Sequence, residues 1–129
     1  MRSIYLLLTL FVASNCSFCQ SKTAIYCETS CPRLTIIKTK KTDFGVAGSS
    51  VFQITNNLSG AVKVGLYIKR TDGRVQSEGY SDPIDRGQST TFHYNIDDLS
   101  EYCVYYINYP SDEKFPSSTE VKKRMNNGY

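Results

Sequence analysis

The chain contains a single histidine, His93, and beside it there is no acid, serine or second ligand at the spacing that catalysis or metal binding requires. It holds five cysteines, but only Cys27, Cys31 and Cys103 lie beyond the first nineteen residues, and three thiols with the single His93 make no two spaced ligand pairs, which argues against a zinc site. After residue 13 no apolar run approaches the roughly 20 residues of a spanning helix, so no membrane span is expected. Strong charge of one sign is also missing. The formal net charge is +3, or +2 without Arg2, and gives no support to a nucleic-acid partner. Neither a sustained helical period nor an internal repeat is present. The expectation is a protein that is not an enzyme and has no metal and no cofactor. Three weaker readings do not alter it. His93 reads as an ordinary strand residue, Cys103 as bridged or buried and not a nucleophile, and Asp97, Asp98 and Glu101 lack the spaced ligands of a calcium loop.

The first nineteen residues are the most informative. Met1 and Arg2 precede an apolar run from Ile4 to Ala13, and small or polar residues follow at Ser14 to Ser17. This is the layout of a secretory signal peptide, too short to span a bilayer comfortably. Cleavage after Cys19 places Ser17 and Cys19 at the −3 and −1 positions and leaves Gln20 first. A cut after Asn15 would instead expose Cys16 for lipid anchoring, but bulky Asn15 fits that poorly. The favoured product is a secreted, extracellular chain of 110 residues, one small domain.

An oxidising destination changes how cysteine is read. Cys27, Cys31 and Cys103 remain after cleavage, so either one bridge with a free thiol or an intermolecular bond is expected. Joining Cys27 or Cys31 to Cys103 closes a loop of more than about 70 residues, worth ~4 kcal/mol in the chain-entropy model, while Cys27–Cys31 constrains far less. The long bridge is favoured.

Along the chain, residues 20–33 read as a polar, cysteine-containing arm. Leu34–Lys38 is β-rich, and Thr39–Ser50 reads as a loop. Phe52 and Ile54 alternate with polar neighbours up to an Asn56–Gly60 turn. Val62, Val64, Leu66 and Ile68 then recur at a spacing of two, predicting a strand with one core face and one wet face. Asp72-Gly73 is a hairpin signal, with Arg74–Tyr80 as the returning edge strand. Asp82–Gly87 is a turn cluster, Thr90–Asn95 alternates again, and Tyr102–Tyr109 is apolar on both faces like a central strand. The prediction is an all-β fold, a small antiparallel β-sandwich of six to seven strands over residues 34–110. Residues 111–129 are expected to be a loose polar tail, with a brief helical turn near Glu120–Met125.

Several surface features invite a partner. Sandwich loops carry binding residues on a rigid frame, which selects Asn57, Arg70, Asp72, Arg74, Asp85 and Arg86. Asn57-Leu58-Ser59 is an N-glycosylation sequon in a predicted loop, making Asn57 the candidate acceptor of a glycoprotein. Lys38, Lys40 and Lys41, and Lys122, Lys123 and Arg124, are short basic clusters that read as solvated charge, or as contacts for acidic glycans or anionic head groups. Tyr102, Tyr105, Tyr106 and Tyr109 crowd one strand, with Tyr67, Tyr80 and Tyr94 on its neighbours. Core packing and an exposed aromatic patch both suit them.

Phe52-Gln53-Ile54-Thr55-Asn56-Asn57-Leu58-Ser59-Gly60 resembles the opening strand and turn of the plant self-incompatibility protein family, the S-protein homologues. Lys69-Arg70-Thr71-Asp72, Gly87-Gln88-Ser89 leading to Phe92-His93-Tyr94, and Tyr102-Cys103 with Tyr109 follow in the family's order. The resemblance covers about half of the secreted chain. The family has a cysteine where Tyr67 and Ile68 stand and more near its C-terminus, which this chain lacks. The resemblance implies a small secreted sandwich acting as an extracellular ligand of a cell-surface receptor. The functional expectation is therefore a non-enzymatic binding protein whose partner is a protein or cell-surface receptor. Two alternatives stand beside it: a small membrane-active or effector protein with peripheral membrane contact, and an enzyme inhibitor.

Overall fold

The computed structural model describes residues 23–27, 33–41 and 48–127. The expected signal segment, and Cys31 with it, lies outside the described residues. The strands are β1 (Thr23–Cys27), β2 (Leu34–Lys41), β3 (Ser49–Asn56), β4 (Val62–Arg70), β5 (Val75–Tyr80), β6 (Ser89–Tyr94) and β7 (Leu99–Asn108), followed by helix α1 (Ser118–Asn127). They form two antiparallel sheets, a four-stranded one in the order β1-β7-β4-β5 and a three-stranded one in the order β2-β3-β6. The chain is thus a small all-β sandwich, as its strand periodicity predicts.

Period-two alternation makes the core. Val62, Val64, Leu66 and Ile68 of β4 and Tyr102, Val104 and Tyr106 of β7 point inward from one sheet, and all are buried. Leu34, Phe52, Ile54, Phe92 and Tyr94 meet them from the other. Phe52 and Tyr102 bridge the layers edge to face, with ring centroids 4.9 Å apart. Ile84, carried by the β5–β6 loop, plugs one end through a bridge to Val62.

That end is tied by Asn56, which is fully buried. Its Nδ2 donates to the carbonyls of Gly60 and Ile84, each at 2.9 Å, and its Oδ1 accepts from the Leu58 amide at 2.8 Å. Its backbone bonds Gln88 and Gly87. One side chain therefore joins the β3–β4 turn to the β5–β6 loop.

The flanks depart from expectation. Part of the polar arm becomes β1 and pairs with β7, with Cys27 and Cys103 as Cα partners. The tail carries a ten-residue helix, not a brief turn. Ser117 caps it, its hydroxyl accepting from the Glu120 amide at 3.2 Å, in the Ser-x-x-Glu pattern of a capping box. Val121 is fully buried against Tyr67, Cys103 and Tyr105, with Phe115 and Met125 around them. The outer face of β4 is consequently not wet: Tyr67 is buried, and its hydroxyl donates to the Pro116 carbonyl at 2.5 Å.

Leu66→Ala should open a core cavity costing about 2–5 kcal/mol. Asn56→Ala should be comparably severe despite losing no apolar surface, because each buried backbone group it strands costs roughly 1–3 kcal/mol. Urea midpoints of the two variants check this. An Asn56→Ala midpoint equal to the parent's would show that the two loops hold together without it.

Candidate functional site

The sandwich separates the residues that the sequence suggests for binding. Asn57, Asp85 and Arg86 sit at the end where β3 meets β4 and β5 meets β6. Arg70, Asp72 and Arg74 sit at the opposite end, on the β4–β5 hairpin. The length of β4, roughly 25 Å at about 3.3 Å per residue, lies between the groups. They do not form one surface.

At the hairpin end, charge is spent internally. Arg70 Nε meets Asp98 Oδ2 at 2.5 Å, and the Tyr94 hydroxyl donates to the other carboxylate oxygen. Arg74 Nε pairs with Asp72 Oδ2 at 2.7 Å, while the Thr71 amide bonds the Asp98 carbonyl at 2.8 Å. The Tyr94 bond, and then Arg70, hold the Asp98 carboxyl below the usual carboxylate range. Burial, followed by that same bond, pushes the Tyr94 phenol up to about 12. This is a fastening between the hairpin and the β6–β7 connection. The acids considered for calcium are divided likewise: Asp97 faces Lys40 at 3.7 Å and Glu101 faces Lys69 at 3.7 Å.

At the other end, Asp85 and Arg86 are exposed, but the Asn57 Nδ2 donates to the Thr35 hydroxyl at 2.8 Å. His93 lies exposed on the outer face of the three-stranded sheet. Cys103 belongs to the cluster on the outer face of the other sheet, so the whole core separates the two.

A further site-like feature, among the described residues, is one that the sequence does not announce. Just past the N-terminal end of α1, the outer face of the four-stranded sheet carries a groove of about 280 Å³ walled by Lys63, Tyr80, Tyr109, Asp112, Glu113 and Phe115. Tyr80 and Phe115 stack in parallel, with centroids 4.4 Å apart and planes 6° apart. They rest directly on the sheet because residue 65 is glycine. A Cβ there would lie 2.7 Å from Tyr80 and 3.1 Å from Phe115.

A β-bulge sets Tyr80 in place. Tyr67 pairs with Ser77 and Gly65 with Tyr80, so Leu66 faces two residues, Glu78 and Gly79. Gly79 takes φ +103°, a backbone that favours glycine. Without the extra residue Gly79 would oppose Gly65, and Tyr80 would turn to the other face.

Tyr80 and Tyr109 are each about half exposed, at 52% and 51%. The Lys63 ammonium stands 5.6 Å from the Tyr109 ring centroid. A second recess of about 480 Å³ shares Asn108, Pro110, Ser111, Asp112 and Glu113 with the groove. The aromatic strand thus divides: Tyr105 is buried near Val121, and Tyr109 is open. Among the described residues no cluster of three or more His, Cys, Asp or Glu side chains could hold a metal ion.

No family model, curated protein or solved structure matches the chain.

Because the folded-state pKa of Asp98 lies below its unfolded value of about 3.9, this fastening stabilises fully above that value. Its contribution is lost as pH falls through the folded pKa. Urea midpoints should therefore drop on going from about pH 5 to about pH 2, and Asp98→Asn should flatten the drop while lowering the midpoint at about pH 6. A variant with the parent's full acid sensitivity would locate the effect in another carboxylate.

Proposed function

We propose that this chain is a secreted, non-enzymatic recognition protein that binds a cell-surface partner through the Tyr80–Tyr109–Phe115 groove. The observation that carries the reading is the pair of half-exposed tyrosines held on a rigid sheet face. Tyrosine is enriched at binding hot spots because it offers a large, stiff contact area and a polar tip. Gly65, the bulge and Phe115 fix the Tyr80 ring before any partner arrives, so little of its conformational freedom is lost on binding. Export is inferred from the Met1–Cys19 layout, and the resemblance to the S-protein homologues supports an extracellular ligand role. The loop residues Asn57, Arg70, Asp72, Arg74, Asp85 and Arg86 are assigned to the frame and rim, since most of the hairpin charges already hold one another.

We also assign the structural bridge to Cys27 and Cys103. Two observations support it: the disulfide-bonded form of Cys103 and the register that makes Cys27 its Cα partner. It would fix β1 to β7, an inner strand of its sheet.

Binding of the tagged protein to intact cells should fall at least about fivefold for Tyr109→Ala and Tyr80→Ala, the loss of 1 kcal/mol or more expected of a hot spot. Asp72→Ala and Asp85→Ala should keep it. Loss confined to the loop variants would move the surface to the loops, and leakage of lipid vesicles by the parent would favour the membrane-active alternative. Intact masses before and after reduction should give a chain starting at Gln20 with one bridge, and Cys31→Ser should keep the parent's denaturant midpoint while Cys103→Ser lowers it by the equivalent of about 2–5 kcal/mol. A Cys103→Ser midpoint like the parent's would remove the assignment.

A further inference from the structure

We infer that the groove receives a basic side chain, arginine or lysine, from an extended segment of the partner. This rests on the groove being the binding surface and adds the chemistry of what enters it. Three observations carry it. First, its aromatic walls are joined by two carboxylates, Asp112 and Glu113, and exposed Asp112 makes no ion pair or side-chain hydrogen bond among the described residues. Aromatic faces together with carboxylates suit a cation, which gains from the ring quadrupole and from the opposite charge.

Second, the groove already holds a cation of its own. Lys63 places its ammonium 5.6 Å from the Tyr109 centroid, within the roughly 6 Å at which a ring attracts a charge. The tethered lysine stands where a ligand cation would stand, and it competes with one. Third, a groove of about 280 Å³ suits a single side chain, and the adjoining recess along Asn108–Glu113 leaves room for the residues flanking it. Arginine is the better occupant, because its planar and weakly hydrated guanidinium stacks on rings and forks to carboxylates.

The competition gives the inference a sign that a merely sticky aromatic patch would not show. The full secreted chain, labelled with ¹⁵N, would be titrated with a short arginine peptide, its citrulline counterpart and a neutral oligosaccharide. The arginine peptide should shift the amides of Lys63, Tyr80, Tyr109 and Ser111 to Phe115. Citrulline, which has nearly the same shape without the charge, should bind about tenfold more weakly. Lys63→Gln should strengthen the arginine peptide several-fold by clearing the Tyr109 face, and Asp112→Asn should weaken it several-fold. Both positions are exposed or half-buried, and unchanged amide dispersion elsewhere would show that the variants fold.

Equal binding of citrulline, or weaker arginine binding by Lys63→Gln, would overturn the cationic ligand and leave the groove as the binding surface. Shifts with the oligosaccharide and none with arginine would do the same and make the ligand a glycan. If no probe moves these amides and cell binding survives Tyr80→Ala and Tyr109→Ala, both this inference and the reading beneath it fail.

Discussion

The architecture depends most on the amide of Asn56. A sandwich made of hairpins holds its sheets together through apolar contact, which is strong but indifferent to sliding. The two connections at one end must be fixed by something directional. Asn56 supplies it from a fully buried position, with two donors and one acceptor satisfied by three backbone groups of two different loops. Once it is in place Ile84 is held against Val62 and closes the core, and β6 is delivered to β3 in register. The fastening at the other end, through Arg70, Asp98 and Tyr94, is partly solvated and so is the weaker of the two.

The two sheets are used differently. The three-stranded sheet presents polar side chains such as Gln53, Thr91 and His93 on its outer face. The four-stranded sheet carries apolar and aromatic groups on both faces, and its outer layer is completed by Phe115, Val121 and Met125 from beyond the last strand. That cover is partial. The helix shields Tyr67 and Tyr105, then stops short of Tyr109 and half of Tyr80, and the groove is the unfilled remainder. Gly65 connects the two regions, because its missing side chain lets the Tyr80–Phe115 stack lie low on the sheet as an extension of the core.

Much of the fold is legible in the sequence because strands with one buried face obey a simple period. The alternation from Val62 to Ile68, the doubly apolar run from Tyr102 to Ile107 and the Asp72-Gly73 turn each translate directly into β4, β7 and the hairpin. Three things do not translate. The wet-face reading of Lys63, Gly65, Tyr67 and Lys69 fails because alternation cannot say what packs outside a sheet, although Ser117-Ser118-Thr119-Glu120 followed by Val121 and Met125 does announce a capped helix. Turn chemistry marks the candidate loop residues locally but does not tell which end of the sandwich each occupies. The groove was hidden for another reason. It gathers Lys63, Tyr80, Tyr109 and Phe115 from four separate segments, and a bulge shifts the phase of β5 just before Tyr80.

That shift of phase also bears on how copies of the protein meet each other. β5 is an edge strand, and an unbroken edge offers unpaired amides and carbonyls to any passing strand. The extra residue at Glu78–Gly79 bends the edge and interrupts its regular row of donors and acceptors, while the Tyr80 ring and Phe115 crowd its end. The irregularity that seats the Tyr80 ring beside Phe115 thereby also makes this edge a poorer template for ordered strand-to-strand association.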